Sequence, residues 1–161
     1  MTKTPTEAAP PVISPVLPSD TKVNLLNPVV LAYVGDAVFE IYIRQRLVAG
    51  SSRKPHELHR AATRYVSAAA QAKLLRRWQP LLTEEEADIV RRGRNTKSGQ
   101  PPRNADPADY RQATALECLV GYLYYNGAKE RLEQLIGLVF EEADPIGDKP
   151  DDRKDDHHEQ S

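Results

Sequence analysis

Apolar residues along this chain recur at helical spacing, and nowhere do they alternate with the period of a strand. Leu31, Val34, Val38, Ile41 and Ile43 run mostly at helical intervals between Asn27-Pro28 and Gly50. An asparagine can accept from free first-turn amides, and a proline there forfeits no hydrogen bond, so Asn27-Pro28 predicts the start of a first helix. Pro55 opens a second helix, through about residue 65. Ser67 opens a third, alanine-rich one that ends before Pro80. Thr83 and Glu86 have the spacing of a capping box and start a fourth, ending near Gly93. Asp106-Pro107 starts a long fifth helix that runs to about Asn126. Glu130 to Glu142 make a sixth, with Leu132, Leu135, Ile136 and Val139 on one face. The expected fold is all-α, a single domain over residues 22–143. Residues 1–21, rich in Pro, Thr and Ser, and residues 144–161, polar and acidic, are expected to be disordered.

Two carboxylates interrupt this pattern. Asp36 lies in Leu31-Ala32-Tyr33-Val34-Gly35-Asp36-Ala37-Val38-Phe39, and Glu117 in Ala115-Leu116-Glu117-Cys118-Leu119-Val120-Gly121. Acids are rarely buried unless paired or bound to a cation. Each also has a glycine nearby, Gly35 and Gly121. A mid-helix glycine costs about 1 kcal/mol relative to alanine, which points to a close approach of two backbones. Helices crossing at those glycines would bring Asp36 and Glu117 together. Two hard oxygen ligands at such a crossing make a candidate Mg²⁺ site. The plainer alternative is that each acid edges a polar helix face.

Composition narrows the classes. The chain has 161 residues, 40% hydrophobic and 28% charged. No apolar run approaches the roughly 20 residues of a membrane span, and the proline-rich start has no apolar signal core. The single Cys118 cannot form an internal disulfide, which fits a reducing cytoplasm. His56 and His59 are three apart but find no further ligand with zinc spacing.

The net charge of −1 hides an asymmetry. Residues 22–140 carry 18 bases and 12 acids, whereas residues 141–161 carry three bases and nine acids. A basic body with an acidic tail suits a polyanion-binding protein, although scattered surface charge can sum the same way. The segment Arg91-Arg92-Gly93-Arg94-Asn95-Thr96-Lys97-Ser98-Gly99-Gln100-Pro101-Pro102-Arg103-Asn104 has five bases and no acid. Its glycines and prolines predict a long basic loop. Arg91, Arg92, Arg94, Lys97 and Arg103 would neutralise phosphates, while Asn95 and Ser98 donate to them. The absence of aromatics favours backbone recognition of a duplex over base stacking on single strands. A solvated loop without a partner is the alternative.

At these residues the chain resembles a known family. Leu31 to Phe39 is similar to the signature helix of ribonuclease III, and Ala113 to Tyr124 to that family's second catalytic helix. The similarity extends over about residues 24–140, through Thr63 to Lys73, Arg92 to Gly99 and Tyr110-Arg111, and is strongest to the short bacterial branch, Mini-ribonuclease III. The resemblance implies a helical ribonuclease III domain, active as a homodimer, that hydrolyses both strands of double-stranded RNA with Mg²⁺. Asp36 and Glu117 fall on two of the family's metal-binding acids. The larger enzymes carry a glutamate at the position of Ala32 and an aspartate at that of Thr114. The short branch resembles this chain in lacking both, so the losses bear on metal number rather than on activity. The resemblance also implies no separate double-stranded RNA-binding domain, since the 18 residues after Ala143 are too few for one. For the short branch the implied substrate is the precursor of 23S ribosomal RNA, cut at a duplex joining its ends.

Secondary roles follow. Thr114 and Glu40 share a helix face with Glu117 and Asp36 respectively and could support the metal through water. Cys118 reads as a small core residue, and Tyr122, Tyr124 and Tyr125 as core or dimer surface. Two other readings remain: a non-catalytic double-stranded RNA-binding module, and a helical protein-interaction domain.

Overall fold

The computed structural model describes residues 15–17, 20–50, 54–97 and 99–141; the expected disorder of the two ends falls largely outside them. Six helices follow in order: α1 (Pro28–Gly50), α2 (Pro55–Val66), α3 (Ala68–Trp78), α4 (Glu84–Asn95), α5 (Pro107–Tyr125) and α6 (Lys129–Glu141). Single 3-10 turns at Val23–Leu25 and Gln79–Leu81 precede α1 and α4, and no strand occurs among the described residues.

The expected starts are made by the expected residues. Asn27 Oδ1 accepts from the Val29 amide at 2.9 Å. Ser67 Oγ accepts from Ala70 at 3.3 Å, and Asp106 Oδ1 from Ala108 at 2.9 Å. Thr83 and Glu86 form the reciprocal pair, Glu86 N donating to Thr83 Oγ1 at 3.2 Å and Thr83 N to Glu86 Oε1 at 2.9 Å. Each cap satisfies first-turn donors that have no intrahelical partner, a gain of about 1 kcal/mol.

Helix α5 is the axis of the molecule, with α1, α3, α4 and α6 packed around it. Of the eleven positions from Ala113 to Leu123, all but Glu117 are buried. A helix apolar on all sides must lie inside. Phe39 and Ile43 of α1, Leu75 and Trp78 of α3, Val90 of α4 and Leu132 and Leu135 of α6 close the core around it. Near-complete burial of each such side chain stabilises the fold by about 1.5–3 kcal/mol.

Two expectations change here. The basic stretch is not a loop from Arg91 onward, because α4 continues to Asn95. Gly93 does not stop that helix. A Cβ there would lie 2.9 Å from Cys118 Cβ and 3.0 Å from Ala115 Cα, so this glycine lets α4 press against α5. Of the two long helices, α1 but not α5 keeps large apolar side chains in water. Val30, Tyr33, Ile41 and Val48 lie along one side of it and are exposed, Tyr33 by 82%.

The start of α6 is tied to α4. Arg131 donates to both Glu86 oxygens at 2.7 and 2.9 Å and to the Leu81 carbonyl at 2.7 Å. Burial alone would raise the Glu86 carboxyl; bonds from Arg131 and Thr83 outweigh it and hold the group below its usual range.

Candidate metal centre and basic flank

Helices α1 and α5 cross at their glycines. A Cβ on Gly35 would fall 1.7 Å from the Glu117 carbonyl oxygen and 2.7 Å from the Gly121 amide nitrogen. A Cβ on Gly121 would fall 2.0 Å from the Leu31 carbonyl oxygen. No other residue fits at either place. The backbones therefore touch, and the neighbouring side chains Asp36 and Glu117 come within electrostatic reach of each other.

The two acids sit in different surroundings. Asp36 is exposed at the edge of the α1 core face, while Glu117 is partly buried on α5. The expectation of two buried carboxylates thus holds only for the second. Burial, and next the charge of Asp36, push the Glu117 carboxyl up to about 8 against the opposing influence of the Gln71 amide. Partial burial, then the charge of Glu40, raises Asp36 as well. Two carboxylates within electrostatic reach, one of them largely withdrawn from water, favour protonation of that one unless a cation is present. The donor set is hard oxygen, the charge is unbalanced, and both side chains are fixed at one crossing. This arrangement fits Mg²⁺, which takes one or two carboxylates and completes its shell with water and phosphate oxygens. Among the described residues no group of three or more His, Cys, Asp or Glu gathers anywhere to form a fuller protein cage.

The supporting residues are each engaged. Glu40 pairs with Arg44 at 2.5 Å while its charge acts on Asp36. Thr114 is buried, and its hydroxyl donates back to the Tyr110 carbonyl at 3.0 Å, which leaves only its lone pairs for a water. Cys118 is buried, and burial pushes its thiol up to about 12, so it is no nucleophile at neutral pH. Gln71 was not singled out from the sequence. It is 1% exposed, lies against Glu117, and its Nε2 makes no hydrogen bond of ordinary geometry with any described group. A glutamine amid the alanines of α3 was the only signal for it.

The basic residues separate into groups. Arg91 pairs with Asp88. Arg92 donates to the Asn24 carbonyl at 2.7 Å and so holds the turn before α1 against α4. Arg103 is exposed in a turn closed by a bond from Ala105 N to the Pro102 carbonyl. Arg94, Asn95 and Lys97 come together with Tyr110 and Arg111 around a pocket of about 400 Å³. Ser98 lies outside the described residues.

The family model described as the ribonuclease III domain matches residues 29–128, which include both acids and the basic flank. A Brevibacillus brevis protein named Mini-ribonuclease 3 is 51% identical over 117 residues, covering 73% of this chain and 87% of that one. One of the same name from Enterococcus faecalis is 49% identical over 126 residues, covering 77% and 96%. A crystal structure of a Fusobacterium nucleatum protein superposes with a TM-score of 0.66 at 28% identity, over 72% of this chain and 93% of that one. The chain belongs to the ribonuclease III family, in its Mini-ribonuclease III branch, and is an endoribonuclease. No helix among the described residues is long and apolar enough to cross a membrane.

Proposed function

We propose that this protein is a Mg²⁺-dependent endoribonuclease that cuts both strands of double-stranded RNA, with Asp36 and Glu117 as its metal-binding acids. The observation that carries the reading is the α1–α5 crossing, where contact at Gly35 and Gly121 sets two oxygen ligands side by side with their charge unbalanced. Asp36 and Glu117 would hold the ion, with Thr114 and Glu40 reaching it through water; when bound it supplies Lewis acidity toward a phosphodiester and a lowered water pKa. The protein's own part is placement. The touching backbones keep the carboxylates from drifting apart, and Gln71 backs Glu117 from α3. Arg94 and Lys97 neutralise phosphates without reading bases, as backbone contacts do. Arg91, Arg92, Asn95, Ser98 and Arg103 complete the proposed RNA-binding flank, with Arg92 also holding Asn24. Hydrolysis breaks the bond to the 3′ oxygen and leaves a 5′-phosphate and a 3′-hydroxyl.

A homodimer would pair two such centres, one for each strand. The exposed apolar side of α1 supports it, for Tyr33 and Val48 are 82% and 62% exposed on a helix whose other side faces the core. Resemblance to the short branch supports precursor 23S ribosomal RNA as the duplex and the cytoplasm as its location.

Asp36→Asn and Glu117→Gln should each abolish Mg²⁺-dependent cleavage of duplex RNA while leaving duplex binding in Ca²⁺ nearly intact. Substantial cleavage by either variant refutes the assignment. Retained binding with no cleavage by the unaltered protein would select a non-catalytic module. A monomeric mass in sedimentation at micromolar concentration, with full activity, would refute the dimer.

A further inference from the structure

The pocket between the end of α4 and the start of α5 has no part in holding the metal. Its lining includes three cations, Arg94, Lys97 and Arg111, together with Asn95, Gly99 and Tyr110, and no acid. The neighbouring Arg91 and Arg92 point elsewhere, to Asp88 and the Asn24 carbonyl. Arg94 Nε, by contrast, is buried without a hydrogen-bond partner among the described residues. A buried cationic donor with no acceptor is unfavourable, and a ligand that brings an acceptor removes that penalty. Pro107, first residue of α5, also lines the pocket, so the positive end of that helix dipole adds to the attraction for an anion. About 400 Å³ is more room than a lone phosphate needs, and it admits a phosphodiester with its flanking sugars.

Its position relates it to the acids. Tyr110, Thr114 and Glu117 share one face of α5, and the seven residue steps from the first to the last advance about 10 Å along the helix axis. A strand of duplex DNA rises roughly 3.4 Å per nucleotide, and a strand of A-form RNA rises less while winding as it rises, so about 10 Å spans on the order of three phosphates. We propose that this pocket is a second phosphate subsite, which takes an uncut phosphodiester within three linkages of the one at the Asp36–Glu117 centre. The proposal rests on the reading of the protein as a double-stranded RNA nuclease. It adds Arg111 and a register to that reading: the pocket measures the strand from a fixed point rather than attracting it diffusely.

The test is binding by the full chain in Ca²⁺ to a set of duplexes. In each, one phosphate is replaced by an uncharged methylphosphonate, stepping outward from the cut linkage. Lys97→Ala/Arg111→Ala should weaken binding of the unmodified duplex about tenfold. That loss should shrink to within about twofold on one duplex only, whose neutral linkage lies within three of the cut. Arg111→Lys, which keeps the charge, should recover much of the affinity, and unchanged melting of each variant excludes misfolding. An equal loss on every duplex overturns the proposal, because no single phosphate then occupies the pocket. Coupling only to a 5′-terminal phosphate, compared with a 5′-hydroxyl end, overturns the internal register. Failure of the unaltered chain to bind any duplex overturns the nuclease reading and this inference together.

Discussion

Adding one methyl group at the crossing of α1 and α5 should unfold the site before it unfolds the protein. In Gly35→Ala and Gly121→Ala the new Cβ would sit 1.7 and 2.0 Å from main-chain carbonyl oxygens. Neither oxygen can swing aside, so the helices must part by more than an ångström. A gap of 0.5–1 Å forfeits roughly a quarter to a half of each atom contact worth about 0.1–0.2 kcal/mol. The α1 core face of Leu31, Phe39 and Ile43 makes on the order of 70 such contacts with α5 and its surroundings, so about 3–4 kcal/mol is lost. Alanine returns about 1 kcal/mol through helix propensity. The net, about 3 kcal/mol, corresponds to a melting temperature lower by roughly 10–15 °C in a domain of this size. Cleavage should suffer even well below the melting point, because Asp36 adjoins Gly35 and moves with it. Gly137, inside α6 with nothing within 4 Å of its would-be Cβ, provides the control. Gly137→Ala should be neutral or stabilising by up to about 1 kcal/mol. Thermal melts followed by circular dichroism, paired with duplex cleavage assays, decide the matter. If Gly35→Ala and Gly121→Ala melt within a few degrees of the parent and cut at its rate, the backbones are not in contact and the argument fails.

In chelator, the parent protein should lose stability relative to Glu117→Gln as pH rises from 4.5 toward 8. The folded group binds its proton more tightly than the unfolded one, so its contribution is complete at low pH and is lost as pH passes through about 8. At about 1.4 kcal/mol per pH unit the gap at pH 7 is roughly 3 kcal/mol; Mg²⁺ should narrow it for the parent alone, and a gap that ignores pH would refute the burial of that carboxyl. Arg92→Ala should lower stability by about 1–2 kcal/mol, because the Asn24 carbonyl loses its partner. Lys97→Ala should leave the melt unchanged yet weaken duplex binding and flatten its salt dependence by about one unit. The reverse pattern in these two variants would mean that the basic flank has been divided wrongly between structure and binding.

Much of this molecule was legible in one dimension because its signals act over a few residues. The side chains of Asn27, Ser67, Thr83, Glu86 and Asp106 bond to amides two or three positions away, so the starts of α1, α3, α4 and α5 follow from local chemistry. Gly35 and Gly121 were legible for a related reason. A helix that tolerates glycine at its centre is compensated elsewhere, and two such helices, each with an acid alongside, compensate each other. Periodicity reveals that a helix has an apolar face but not what covers it. Only the packing showed that α5 is enclosed while α1 keeps an apolar side in water. Only the packing showed that Gly93 is a contact with α5 rather than a stop. It also drew Gln71 up to Glu117, and divided one run of bases into Arg92, tied to a carbonyl, and Arg94 and Lys97, joined by Arg111 from another helix. Those pairings join residues far apart in the chain. Their energies depend on distances between helices, which no local pattern encodes.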